Sequence, residues 1–327
     1  MTLSRGPQSH KPKPLGRYGL VPRDGITGCD NIIVRSLREI KIALRRIGWP
    51  EYENKRSNHV FTQHQLLALL MLRQRLSKSY REFVSWLKVM DGVMRELALD
   101  FLPHFTTLQK FAKRVDQKRL ECIMAMIARR HSHGDVTVAV DSTGFSCGYA
   151  SQYFIHTIST RRSEGDRMID RAVTRHVKQA AVIDVDNQMI LALQFRYGPN
   201  NDFRDAVPVL AKAASTFDIK TVLADKGYDS EDIRKFIIKE MKASTQIPTR
   251  KQKKRGAETH GLYRRAQAST FDESVYHQRS LVETMHSSSK RLMGEAVRAR
   301  GQDGQWKELV VRGIAYNAWR AGALRLG

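Results

Sequence analysis

Apolar positions along this chain follow two periods, and the change from one to the other divides it. From Ile32 to about His131 they recur at helical spacing. Ile32–Ile47 reads as a short basic helix stopped by Gly48 and Pro50. Three further helices each open on Ser or Thr followed three residues later by Glu or Gln, the signature of a capping box. Thr62 with Gln65 starts the apolar run Gln65–Leu76, and Ser79 with Glu82 starts Tyr80–Met90, ending at Gly92. Thr106 with Gln109, beyond the stop at Pro103, starts a long helix that reaches His131.

At Asp135 the period becomes two. Val136, Val138 and Val140 alternate with Thr137, Ala139 and Asp141, which predicts a half-buried strand with Asp141 opposite the valines. Ser142-Thr143-Gly144-Phe145 supplies turn chemistry to close it. Tyr153–Thr160 and Lys178–Gly198 read as antiparallel strands beside it, the second stretch turning at Val185–Met189. Asn201 and Asp202 cap a helix over Phe203–Ser215. Thr221–Ala224 is a short buried strand with Asp225 at its carboxyl end, where ligand sites of α/β sheets gather. A helix from Ser230 and a strand over Thr245–Arg250 follow. Arg250–Arg265 is polar, basic and almost free of aliphatic residues, which predicts a mobile loop. Beyond it come one helix over Tyr276–Lys290 and a closing amphipathic helix. That last helix carries Trp306, Leu309, Val310 and Ile314 on its apolar stripe, read as core packing.

Charge changes the picture. The 327 residues include 56 Lys and Arg against 33 Asp and Glu, a net charge of +23, which points to a polyanionic partner, most simply nucleic acid. The excess is spread along the chain with no isolated amphipathic anchor, and no apolar run approaches the ~18 residues of a membrane span. The start of the sequence lacks the apolar core of a signal peptide. Cys29, Cys122 and Cys147 are scattered and match no zinc or disulfide framework, which suits a reducing cytoplasm.

The candidate chemistry lies in Tyr276–Lys290. A continuous helix there puts Tyr276, Arg279, Glu283 and Lys290 within an arc of about 60°. Taken alone, Arg279 and Glu283 are an (i, i+4) pair of the kind that decorates solvated helices. With Asp141 and Asp225, Glu283 makes a set of three carboxylates that repel one another unless a hard cation is shared between them. Each aspartate by itself also reads as a turn former at a strand end.

These residues carry a resemblance. Val138–Phe145 around Asp141, Leu223–Ser230 around Asp225, and Tyr-x2-Arg-x3-Glu-x6-Lys at Tyr276, Arg279, Glu283 and Lys290 resemble the three catalytic blocks of DDE-type transposases of bacterial and archaeal insertion sequences. The resemblance spans roughly Asp135–Trp319. It implies an α/β, ribonuclease H-like catalytic domain, a mixed sheet flanked by helices, over 133–327. Before it would lie an N-terminal all-helical DNA-binding or dimerisation region over 31–132 and a basic arm over 1–30. The helices read by themselves fit an ordinary bundle equally well. It implies Asp141, Asp225 and Glu283 as catalytic ligands of Mg2+, with Mn2+ as substitute and two ions in all. Tyr276, Arg279 and Lys290 would contact the ends of the element, joined electrostatically by Arg250, Lys251, Lys253, Lys254 and Arg255. The implied activity is cleavage at transposon ends and joining of the 3′-OH to target double-stranded DNA, by a homodimer in a prokaryotic cytoplasm, at the nucleoid. A metal-dependent nuclease without strand transfer and a non-enzymatic DNA-binding descendant are the rival readings. Asp225 and Glu283 stand only 58 positions apart, which leaves no room for the large β-strand insertion of some relatives, and with it no implied hairpin chemistry.

Overall fold

Strand β1, Val136–Cys147, is the axis of the fold. The computed structural model describes residues 31–147, 176–198, 202–250 and 261–324, apart from positions 55, 57 and 269. The strand expected over Tyr153–Thr160, the arm over 1–30, the cap Asn201 and the basic residues Lys251, Lys253, Lys254 and Arg255 lie outside that set. β1 is longer than the sequence pattern suggests. Ser142–Phe145 forms no turn, because each residue pairs in antiparallel register with β2, His176–Asp184, as far as Ser146 opposite His176. Ala139 is as buried as the valines, so this central strand is covered on both faces.

β2 turns back into β3, Ile190–Tyr197, through the hairpin read at Val185–Met189. Asp184 holds that turn by accepting from the Asp186 N–H and the Asn187 amide, both at 3.0 Å. On the other side of β1 lies β4, Ile219–Ala224, in parallel register, followed by the parallel β5, Ser244–Gln246. The short β6, Ala296–Val297, pairs with the far end of β1. The sheet order is β3-β2-β1-β4-β5, a mixed sheet with helices on its faces, as a ribonuclease H-like fold requires.

Among the described residues six helices precede the sheet: α1 Ile32–Arg46, α2 Gln63–Arg75, α3 Tyr80–Leu87, α4 Asp91–Glu96, α5 Phe105–Arg114 and α6 Gln117–Arg129. Reciprocal capping boxes start α2 and α3 as the sequence predicts. The third expected box is absent. α5 begins two residues earlier, after His104, without a side-chain cap, and Thr106 bonds the His104 ring instead. The long helix expected to His131 breaks at Val115, whose ψ of 137° is extended, and Asp116 caps α6 by accepting from the Arg119 N–H at 2.9 Å. α3 likewise stops at Leu87, and α4 runs through the glycine expected to end it. Beyond the hairpin, α7 spans Phe203–Ala214; Asp202 precedes it but pairs with Lys178 rather than capping. α8 spans Glu231–Lys235, α9 Leu262–Ala268, α10 Glu273–His277, α11 Ser280–Met293 and α12 Gln302–Leu324. The stretch expected to be a mobile loop therefore ends in helix α9.

α12 is buried almost all round, not along one stripe, because it runs among α1, α2, α6 and β3. Asn317 satisfies itself within that core: it accepts from the Ile190 N–H at 2.8 Å and donates to the Met124 and Ile190 carbonyls at 3.1 and 2.8 Å. Arg312, also buried, donates to the Gly294 and Ala296 carbonyls and pairs with Glu308 at 2.7 Å. Bonds to a charged group contribute about 1.5–3 kcal/mol each. They tie the end of α11 and all of β6 to α12, and so fix the helix that carries Glu283.

Candidate active site

Parallel pairing of β1 with β4 sets Val140 opposite Ala224, so Asp141 and Asp225 follow side by side on neighbouring strands, about 5 Å apart in backbone spacing. α11 packs across β1 and brings Glu283 into the same field. Burial raises the Asp141 carboxyl from 3.8 to about 6; a hydrogen bond at Ser142 and the charge of Arg279 oppose this, while Asp225 and Glu283 add to it. The Asp141 carboxyl thus senses both of the others electrostatically.

The turn after β4 is heavily braced. The Gly227 N–H donates to Asp225 Oδ1 at 2.5 Å, and a Cβ at Gly227 would sit 2.7 Å from that oxygen, so any larger residue would displace the carboxylate. Tyr228 is buried, and its hydroxyl lies 3.0 Å from Ser142 Oγ, joining the Asp225 turn to β1; burial raises its pKa far above the usual phenol range. The Asp229 side chain is fully enclosed. Burial alone would raise its pKa, but hydrogen bonds from Arg264, the Arg250 N–H and Arg234 outweigh it, and the carboxyl is held below its usual range. Arg250 donates to the Lys226 and Gly227 carbonyls at 2.8 and 2.9 Å, so its guanidinium braces the loop that carries Asp225. Sequence reasoning assigned no role to Tyr228 or Asp229, although both stand in the block quoted around Asp225.

The Tyr276–Lys290 stretch is not one helix. It breaks between α10 and α11, where the Gln278, Arg279, Leu281 and Val282 N–H groups bond three residues back, to Val275, Tyr276, Gln278 and Arg279. Tyr276 therefore sits on α10, Arg279 at the junction, and Glu283 and Lys290 on α11. Arg279 still bridges them: its guanidinium lies 5.8 Å from the Tyr276 ring and 2.7 Å from the Glu283 carboxylate. Lys290 Nζ lies 5.3 Å from the Phe145 ring on β1. His286, three residues after Glu283, is a further group unmarked in the sequence. It is buried against the Asp141 backbone, neither ring nitrogen has a well-formed hydrogen bond among the described residues, and burial lowers its pKa to about 4, so it is neutral at pH 7.

The donors suit a hard divalent cation. All three are carboxylate oxygens, and a cation would relieve both the burial of charge that chiefly raises Asp141 and the smaller repulsion from Asp225 and Glu283. Glu283 is the loosest member, its side chain 55% exposed and held by Arg279, and no three acidic, His or Cys side chains among the described residues already stand at metal-binding spacing. The residues thus fit a metal that draws Glu283 from Arg279.

No curated protein sequence matches the chain. A cryo-EM structure of a piggyBac transposase synaptic complex with hairpin DNA is similar at 9% identity and a TM-score of 0.46, over 92% of this chain and 76% of that one. The sequence model of the transposase DDE domain matches residues 132–318, more than half of the chain and the whole stretch from β1 to most of α12. The chain belongs to the family of transposases with a DDE domain, whose members generally use divalent metal ions.

Proposed function

We propose that this transposase cuts DNA at the ends of its own element and joins the freed 3′-OH ends to target DNA, with Asp141, Asp225 and Glu283 as metal ligands. The observation that supports this most is the parallel pairing of β1 with β4, which sets Asp141, within β1, beside Asp225, just past the end of β4, with Glu283 close enough to perturb Asp141. Two Mg2+ ions, replaceable by Mn2+, would be held by these carboxylates and would activate the attacking oxygen and stabilise the leaving one. In the first step water attacks phosphorus, the P–O3′ bond breaks, and the 3′ oxygen takes up a proton. In the second that 3′-OH attacks a target phosphodiester, loses its proton, and displaces the target 3′ oxygen, which is protonated in turn.

Arg279 acts on Asp141 and pairs with Glu283, and Lys290 lies on the same helix as Glu283; in this reading they grip the phosphates flanking the scissile bond, with Tyr276 against the same backbone. Arg279, which pairs with Glu283, would then hold a phosphate instead and leave the Glu283 carboxylate free to hold a metal ion. Lys251, Lys253, Lys254 and Arg255 add salt-sensitive affinity, and Arg250 contributes by holding the Asp225 loop. The region 31–132 serves DNA binding or dimerisation, and a homodimer brings both ends together in a prokaryotic cytoplasm. The test is incubation with the flanking genomic DNA and Mg2+, mapping cut ends and joined strands. Cuts at defined ends with strand joining are expected. Cutting without joining would leave a nuclease, and no metal-dependent cutting would overturn the reading.

A further inference from the structure

A second site lies apart from the carboxylates. A cleft of about 880 Å3 opens between α2, α3, α5 and the start of α12, and none of its lining residues belongs to the site above. Its wall carries two arginine–aromatic pairs: Arg73 stands over the Tyr80 ring at 4.0 Å, and Arg81 over Phe105 at 4.8 Å. Lys113 and Arg298 add charge at the exposed rim. The two acids of the cleft are already engaged. Asp303 pairs with Lys307 at 2.8 Å, and Glu308 pairs with Arg312 and accepts from the Arg298 and Ala299 N–H groups. The cleft is therefore strongly cationic, and the first turn of the 23-residue α12 faces it with the amide end of the helix.

Arg73 makes this a built site rather than a basic surface. It is only 4% exposed, its Nη1 donates to the Lys78 carbonyl at 2.7 Å, and its buried Nε has no hydrogen-bond partner among the described residues. A guanidinium enclosed in this way, with a donor unfilled, calls for an anion. Rings stacked beside arginines call for a planar ring on the same ligand. We infer that this cleft binds a nucleoside phosphate, with the phosphate at Arg73 and the start of α12 and the base against Tyr80 and Phe105. The ligand is either a free nucleotide or an unpaired nucleotide of bound DNA; the second source alone rests on the proposed function.

The test uses full-length Glu283→Gln protein, so that no cleavage intervenes. Probes are 2-aminopurine riboside 5′-monophosphate, a duplex with one unpaired 2-aminopurine, and the same duplex fully paired. Fluorescence quenching of the first probe, the second, or both is expected. It should weaken by at least about tenfold in Arg81→Glu/Lys113→Glu, two exposed sites, and in Arg73→Met if its melting curve shows it folded. Response of the monophosphate alone assigns the site to free nucleotides, and response of the unpaired duplex alone assigns it to DNA. The inference is overturned if neither probe is quenched, if the exposed double variant quenches like the parent, or if a short poly-glutamate peptide displaces the probes as well as adenosine monophosphate does. Failure to bind the paired duplex would instead count against the proposed function.

Discussion

Replacing Asp141 with Asn should stabilise the metal-free protein at neutral pH. The fold raises this carboxyl from 3.8 to about 6, so above pH 6 it is ionised at a cost set by that difference. Roughly two pKa units at 1.36 kcal/mol each give an upper bound of about 3 kcal/mol. Asn keeps some of the burial cost and loses the charged acceptor for Ser142, which leaves a gain of about 1–2 kcal/mol. For a chain of this size that is a rise of a few degrees in Tm. Because the folded pKa is the raised one, the proton's stabilisation is complete below pH 3.8 and disappears as pH rises through 6. The advantage of Asp141→Asn should therefore shrink as pH falls from 7 towards 4. Mn2+ at about ten times its Kd should add roughly 1.4 kcal/mol to the wild type and much less to the variant. Thermal melts at pH 7.5 and 4.5, with and without Mn2+ at fixed ionic strength, measure all three effects. A metal-free variant less stable than wild type at pH 7.5, a gap independent of pH, or equal metal-induced shifts would refute the reasoning.

Asp225→Asn and Glu283→Gln should each abolish metal-dependent cleavage while leaving duplex affinity within about twofold, since affinity comes from phosphate contacts elsewhere; near-wild-type cutting would remove that residue from the site. Arg279→Ala should raise divalent-ion affinity of the DNA-free protein, measured by calorimetry, because Glu283 loses its competing partner, and should slow cleavage of DNA. Lys290→Ala should weaken end binding and slow cleavage, with a stability loss of no more than about 0.5–1 kcal/mol from its contact with Phe145. Asp229→Ala should destabilise by about 3–5 kcal/mol in urea unfolding, since it strands the buried Arg234.

The carboxylates were legible because each sits in a local pattern. Asp141 ends a run of alternating valines, Asp225 ends a short aliphatic strand, and Glu283 stands in a spaced signature. What the sequence could not show was set by partners distant along the chain. Ser142–Phe145 has turn composition, yet β2 pairs with every one of those residues and keeps them extended. Arg250 belongs to a basic run in sequence, yet the carbonyls of Lys226 and Gly227 claim it. Asp116, by contrast, is a readable cap, masked by an apolar period that predicts one continuous helix through it. The hydropathy of α12 predicts an amphipathic helix although its polar Asn317 and Arg312 are buried, because burial of hydrogen-bonded polar groups leaves no mark on hydropathy.

The break in the signature helix has a consequence for how the site works. On one straight helix, Arg279 and Glu283 would lie one turn apart among four exposed polar side chains, a pair worth a few tenths of a kcal/mol. With the helix broken at Gln278–Arg279, Arg279 instead sits at the junction, largely buried, between the Tyr276 ring and the Glu283 carboxylate. Burial would lower its pKa, but the hydrogen bond from Arg279 to Glu283 more than compensates, so the cation is retained where water is partly excluded. A phosphate arriving at this junction meets a guanidinium whose position is already set. The carboxylate it releases lies on the helix that packs against the strand of Asp141. The same ion pair that looks like surface decoration in the sequence thereby couples Arg279, the cation proposed to bind phosphate, to the loosest of the three acids.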